Sequence, residues 1–267
     1  MEHLSPSLVA PRLMSDVAGS YHEREQKRHV AKVIERLPFT IKRVESEEDL
    51  WKAVRVRHAA YARHVPDFAR SLRLPEQSDY DSDSVILLAE SKLDGTALGS
   101  TRIQSNASRP LHVEASVALP LWLQTQRMAE VTRLGVEEGR LGRLVKIGLI
   151  KACFDFCEQN QVGWAVVTGR APIDRQYEQL LFSDVFADKQ PVPLRHVGNI
   201  PHRVMAFEIA TGEARWTAAE HPLLNFFRHT RHPDIDISVH KALPFVAAPT
   251  VTLRRQAVGP TFEFVAA

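Results

Sequence analysis

The sequence predicts a mixed α/β domain, of the α+β kind, and three observations carry that prediction. Roughly seven strand-like and four or five helix-like segments alternate in mixed order, neither type segregated to one half. Asp94-Gly95 stands between two apolar runs and marks a hairpin, which argues against an all-parallel doubly wound sheet. A strand-like stretch over 129–136 then feeds a glycine-punctuated turn and a long amphipathic helix, an arrangement that makes an anion cradle.

Composition sets the frame. With 267 residues, 44% hydrophobic and 25% charged, the chain has ordinary globular content, enough for one large domain or a domain with extensions. A net charge of +2 gives no general attraction to nucleic acid. Cys153 and Cys157 lie four apart in a helical pattern, with no CxxC or disulfide framework, and so suit a reducing, cytoplasmic setting. Met1 to Arg12 lacks a charged segment leading into an apolar one, so no secretory signal is expected. No window approaches a membrane-spanning run.

The elements follow in order. Residues 1–20, rich in Ser, Pro and Ala, are expected to be poorly ordered. Tyr21 to Leu37 has a helical stripe of Val30, Val33, Ile34 and Leu37 among many charges; residues 21–37 would suit peripheral contact with a membrane surface, or packing on the chain's own domain. Phe39 to Val44 alternates as a first strand. Ser46 followed by Glu47, Glu48 and Asp49 starts a helix that runs to about Arg63. Asp81 to Ser84 is a turn, Val85 to Ala89 a buried strand, and Gly99 to Gln104 the strand returning from the hairpin. A short helix is placed near Leu121 to Arg127. The strand at 129–136 precedes a helix from Gly139 to Gln159 and a strand at Gly163 to Thr168. Ile173 to Phe186 has one helical face through Tyr177, Leu180, Leu181 and Val185. Val192 to Val197 and Val204 to Ile209 read as strands, and Trp216 to His229 as a helix interrupted near Pro222. Residues 1–37 and 233–267 are thus read as extensions around a domain at 38–232.

Several charged residues sit where the pattern calls for apolar ones. At 100° per residue, Leu50, Val54, Arg57 and Tyr61 share one narrow arc. Arg57 therefore points inward and needs an anion, either a ligand or Asp81, Asp83 or Glu130. The acids of Ser78–Asp83 alternate as in a calcium loop, but the glycine and closing glutamate of that loop are absent. No other spacing suits a metal either; HExxH and paired Cys/His motifs are missing. Glu130 and Arg133 are charges set into an apolar strand. Three apart, they point to opposite faces of a regular strand and can share a site only if a bulge separates them. Glu130 is then a candidate general base with Arg133 as its electrostatic partner; the plain alternative is a pair of unrelated cross-strand contacts. The helix after Gly139 carries Arg140, Arg143, Lys146 and Lys151 with no acid between them. Cations in its first turns oppose the helix dipole, a conflict that an anion docked at that end resolves; a solvated basic face is the plain alternative.

The order of these motifs resembles the GNAT acyltransferase superfamily, and within it the branch of long-chain N-acyl amino acid synthases and acyl-homoserine-lactone synthases. That branch has an Arg followed four residues later by an aromatic on the first helix, matched by Arg57 and Tyr61. An acidic segment ending in Tyr-Asp is matched by Tyr80 and Asp81, and a Gly-x-x-Arg hairpin end by Gly99 and Arg102. Glu-x-x-Arg leading to Val is matched by Glu130, Arg133 and Val136. The resemblance spans about residues 39–210. The lactone synthases carry an acid three positions before the Asp matched at 81, where this chain has Ser78, and a tryptophan after the first helix that is missing here. Both departures favour the N-acyl amino acid synthase side.

The resemblance implies a GNAT-like central mixed, mostly antiparallel sheet flanked by helices, and a cytoplasmic acyltransferase with no permanently bound cofactor. The acyl group would arrive on a phosphopantetheine thioester. Glu137-Glu138-Gly139-Arg140-Leu141-Gly142 only echoes the acetyl-CoA loop Gln/Arg-x-x-Gly-x-Gly/Ala, and its charges point to acyl carrier protein, with acyl-CoA as the other donor. The acceptor would be an amino acid or small amine. Glu130 would take the amine proton, with Arg133 beside it. Backbone N–H groups near Leu134 to Val136 would hold the oxyanion. Arg57, Tyr61, Asp81 and Arg102 would line the acceptor site, and Arg140, Arg143 and Lys146 would meet the carrier. An acetyl-CoA-dependent acetyltransferase and a non-catalytic carrier-binding module are the alternatives.

Overall fold

A computed structural model describes residues 32–239 of the chain. The described strands are β1 (Val33–Ile34), β2 (Phe39–Arg43), β3 (Ser84–Ser91), β4 (Ala97–Ser105), β5 (Met128–Val136), β6 (Trp164–Gly169), β7 (Ser183–Asp184), β8 (Val192–Leu194), β9 (Ile200–Glu208), β10 (Thr230–Arg231) and β11 (Ile235–Asp236). The helices are α1 (Glu47–Ala62), α2 (Pro66–Ala69), α3 (Leu121–Gln124), α4 (Gly139–Gln159), α5 (Ile173–Gln179) and α6 (Gly212–Ala218). The main sheet runs β11-β2-β3-β4-β5-β6-β9-β7, with β8 on β9. Within this sheet, among the described residues, only β11/β2 and β5/β6 pair in parallel, and the other pairs are antiparallel. The mixed, mostly antiparallel sheet of the sequence reading is therefore present.

The alternation of β3 explains its two-sided burial. Val85, Leu87 and Ala89 join the core that holds Val145 and Leu149 of α4. Ile86 and Leu88 join the core that holds Leu50, Ala53 and Val54 of α1. The sheet is thus a middle layer, with α4 on one face and α1 on the other. Helix α1 starts where the sequence placed it: Ser46 Oγ accepts the Asp49 N–H at 3.1 Å, and three acids occupy the first turn.

The site is prepared by the place where the sheet opens. Strands β5 and β6 pair only from Met128/Trp164 to Val131/Val167. Beyond Val131 the edge of β5 that faces β6 has no strand partner, while β6 stays on β9 as far as Gly169. On its other edge β5 carries one extra residue: Ser100 faces Gly135, but Arg102 faces Thr132. Arg133, within that bulge, has φ +57°.

Several expectations change. Residues 33–34 form β1, parallel to β10, instead of ending a helix; residues 21–31 of the expected helix, the stretch 1–20 and most of the C-terminal extension lie outside the described residues. The helix expected over Ile173–Phe186 stops at Gln179, because Leu181 turns left-handed (φ +67°) and Asp184 joins β9, where Arg203 holds it at 2.8 and 2.6 Å. The strand expected over Val192–Val197 ends at Leu194 and turns at Gly198; the next begins at Ile200, before Val204. In place of one helix over Trp216–His229 there is α6, a reversal at Glu220 (φ +48°) and a single wide turn over Asn225–His229. Lys151, read as part of a basic face, is buried, and its Nζ caps that turn by donating to the carbonyls of Phe226, Phe227 and Thr230 at 2.8–3.1 Å. Among the described residues no helix is long and apolar enough to cross a membrane.

Candidate active site

A cavity of about 610 Å³ fills the opening between β5 and β6. Its walls come from β5 beyond Val131, the end of β6, Tyr61 of α1, Lys146 and Ile150 of α4, Tyr177 of α5 and the segment around His196. Such a volume is typical of small-molecule sites.

The bulge decides what faces it. Glu130 and Thr132 share the sheet face of Met128, the face opposite the α4 core. A regular strand would send Arg133 toward α4. The bulge returns it to the Glu130 side, where its Nε and Nη2 donate to Glu76 at 2.7 Å each and Nη2 also donates to the His196 carbonyl at 2.7 Å. The bulge that the two charges required is thus present.

Arg133 is one of three buried guanidiniums around two acids. Arg57 pairs bidentately with Asp79 (2.9 and 2.7 Å), and Arg102 Nη1 donates to Asp79 at 3.0 Å and Glu76 at 3.1 Å. Burial alone would raise both acids. Arg133 instead holds Glu76, and Arg57 holds Asp79, below the usual carboxylate range. The inward direction of Arg57 is as read from the helix arc, but its partner is Asp79, not Asp81, Asp83 or Glu130. Asp81 and Asp83 share Arg109, whose Nε lies 3.0 Å from Asp83, and neither lines the cavity. Arg57 and Arg102 are also absent from the cavity wall, which of the three guanidiniums takes only Arg133. The acids of the network, Glu76 and Asp79, are themselves three apart.

Glu130 is fully buried and does not itself line the cavity. Its Oε2 accepts the Val113 N–H at 3.1 Å. Two histidines flank it: His196 Nε2 lies 3.6 Å from Oε1, and His112 Nδ1 3.9 Å from Oε2. His112 Nε2 in turn meets Ser78 Oγ at 2.8 Å. Burial pushes the Glu130 carboxyl up to about 7, against the Val113 N–H and Arg102. Burial, reinforced by Arg133, pushes His196 down to about 3; burial and Arg102 push His112 down to about 4. Of the three groups only the Glu130 carboxyl is thus brought near neutral pH. Neither histidine has a motif spacing, and each is brought to Glu130 from a distant loop, so the sequence singles out neither.

Beyond β5, α4 begins at Gly139 (φ +89°) after Glu138, with no side-chain cap. A Cβ on Gly142 would lie 1.7 Å from the Glu137 carbonyl oxygen, so the loop closes this tightly only around glycine. Arg140 and Arg143 are exposed there. Lys146 is not with them: half-buried, it lines the cavity and donates to Gln176 at 2.6 Å. Leu134, Gly135 and Val136 follow the bulge along the cavity wall, and α1 packs closely against them. A Cβ on Gly135 would approach the Arg57 Cα to 3.2 Å.

Comparison with solved structures places this architecture. FeeM, an N-acyl amino acid synthase from uncultured soil microbes, superposes with a TM-score of 0.50 at 14% identity, over 68% of this chain and 96% of FeeM. This chain has a GNAT-like fold. The CoA-dependent acyl-homoserine lactone synthase BjaI is also similar (TM-score 0.49, 17% identity, 75% of this chain and 95% of that one). So is a Desulfovibrio desulfuricans protein assigned to the GNAT acetyltransferase family (0.46, 12%, 64% and 99%). No protein-family model matches the sequence, and no curated protein does. Among the described residues no group of His, Cys, Asp and Glu is arranged to hold a metal ion. Within the GNAT-like fold, the cavity lies at the opened β5/β6 edge, and Lys146 and Ile150 of α4 belong to its wall.

Proposed function

We propose that the chain is an N-acyltransferase that moves a long-chain acyl group from the phosphopantetheine thioester of acyl carrier protein to the amine of an amino acid or related amine. The observation that carries this reading is the cavity itself. It is walled largely by apolar side chains, has a buried carboxylate–histidine cluster with Arg133 on one side, and lies beside a basic helix N-terminus. The likeness in fold to an N-acyl amino acid synthase supports it.

In this reading the amine attacks the thioester directly, with no covalent enzyme intermediate. Glu130 is the ultimate acceptor of the amine proton. Backbone N–H groups between Leu134 and Val136, on the edge of β5 that β6 leaves, stabilise the oxyanion. Arg133, whose Nη1 has no hydrogen-bond partner, meets the acceptor's carboxylate beside Tyr61. Arg57, Arg102, Glu76 and Asp79 act at one remove by fixing Arg133. Arg140 and Arg143 meet the anionic arm of the donor, and Lys146 the part of it that enters the cavity.

The test is thiol release and amide formation from palmitoyl-carrier protein with a panel of amino acids and S-adenosylmethionine. Wild type should form one amide preferentially, and Glu130→Gln should lower the rate by at least about 100-fold with an unchanged circular dichroism spectrum. Full activity of Glu130→Gln, or transfer from acetyl-CoA alone, would sink the proposal.

A further inference from the structure

We infer that His196, not Glu130, takes the proton directly from the acceptor amine, with Glu130 and His112 as positioning residues behind it. This rests on the reading of the cavity as an N-acyltransferase site.

Geometry makes the distinction. A base must come within hydrogen-bond reach of the proton it removes. Of the three clustered side chains, His196 alone lines the cavity; Glu130 and His112 do not. Glu130 is oriented toward His196 by what holds its other oxygen. Oε2 takes the Val113 N–H and faces His112, while Oε1, with no hydrogen-bond partner of its own, lies 3.6 Å from His196 Nε2. His112 is anchored from behind by Ser78. The loop that carries His196 is tied down because its own carbonyl accepts from Arg133.

The chemistry follows from the tautomer this geometry favours. With its proton on Nε2, toward Glu130, His196 has Nδ1 as its acceptor; Nδ1 is bonded to no protein group and is itself buried, so the acceptor amine reaches it only as the cavity wall yields. As the amine nitrogen bonds to the acyl carbon and the carbon–sulfur bond breaks, the amine proton passes to Nδ1. As Nδ1 takes that proton, the Nε2 proton passes to the Glu130 carboxylate, the final acceptor within the cluster. The cluster then returns a proton to the departing sulfur, giving amide and free thiol. The charged and titratable groups facing His196 are Glu130, Arg133, Arg102, His112 and His202. Arg133 and Arg102 disfavour the imidazolium, so the ring passes the proton on to Glu130 instead of holding it.

The experiment uses the full chain with palmitoyl-carrier protein and the acceptor panel. His196→Gln should lower kcat by about 100- to 1,000-fold while leaving the thioester KM within about threefold. Added imidazole should partly rescue His196→Ala. His112→Gln should move the acid limb of the pH–rate profile and keep the plateau within about threefold; a lowered plateau with an unmoved limb would make His112 structural only. Amide formation by wild type with undiminished amide from His196→Gln would overturn this proposal alone and leave Glu130 acting through water. No amide from wild type would overturn the N-acyltransferase reading and this proposal with it. If His196→Gln fails to fold, imidazole ¹⁵N spectra decide: Glu130→Gln should shift the His196 ring signals, and unmoved signals overturn the pairing.

Discussion

Glu130 is an ionisable carboxyl with no exposed surface, and that has a thermodynamic consequence independent of any substrate. Its ordinary value of 4.5 rises to about 7 in the fold. Below 4.5 the group is protonated folded or unfolded and costs nothing. As pH climbs from 4.5 to 7 the unfolded chain ionises first, so stability falls, reaching a deficit of roughly 3 kcal/mol above 7. Glu130→Gln should therefore be more stable than wild type at pH 8, by up to about that amount, and equal to it at pH 4.5; urea unfolding at both values checks this. Activity should run the other way, with kcat/KM rising as pH passes through about 7 and the Glu130–His196 pair loses its proton. Opposite pH dependences of stability and activity are what a catalytic role for Glu130 predicts. The sequence made Glu130 and Arg133 legible because a charge within an apolar strand stands out. Glu76 stands in no pattern, and Asp79 is one of several acids in the segment 78–83, whose alternation does not say which of them meets Arg57. Nothing local marks a histidine whose only distinction is a neighbour some 66 positions away in the chain, as His196 is from Glu130.

At the scale of elements, periodicity identified α1, β3, β4, β5 and α4, each long enough to show its buried face. It failed where a tertiary contact ends an element. Over 173–186 the apolar spacing continues past Gln179, but the chain turns at Leu181 so that Asp184 can reach Arg203. Over 216–229 the wide turn exists because Lys151, 75 to 79 residues earlier, satisfies its carbonyls. Lys151→Met should leave those carbonyls without a donor and cost about 3 kcal/mol, lowering Tm by roughly 10 °C in a thermal melt. The loop into α4 depends on a closer approach still. Gly142→Ala must displace the Glu137 carbonyl, at about 1–3 kcal/mol. Because the same loop faces the proposed donor, the thioester KM should rise more than kcat falls. An unchanged melt for Gly142→Ala would mean the loop relaxes freely.

Across the whole molecule, one ion network joins what the opened sheet would otherwise leave loose. Arg57 on α1, Arg102 on β4, Arg133 on β5 and the acids at 76 and 79 bind three elements to one connecting segment. Asp79→Ala leaves two buried guanidiniums short of a partner and should destabilise by about 3–5 kcal/mol, read by urea unfolding. Because Asp79 and Glu76 are held below their ordinary values, the network's stability is present at neutral pH and is lost as pH falls below about 4.

The mixed α+β class could be read from element order and the GNAT-like sheet through the resemblance, but the cavity could not, since it arises where two strands stop pairing and no residue pattern records that. The reacting cluster and the basic start of α4 make separable demands. The cluster at Glu130 is buried behind the cavity wall, whereas Arg140 and Arg143 are exposed on the first turns of α4 and do not line the cavity. If they serve an acidic carrier protein, replacing both by alanine should raise the KM for palmitoyl-carrier protein about tenfold and flatten its salt dependence. The rate at saturation, set at the Glu130 cluster, should hold. Palmitoyl-CoA presents the same arm without the acidic protein surface and should lose less. An equal loss for both donors would place the two arginines on the phosphate that the donors share and would remove the case for acyl carrier protein over CoA.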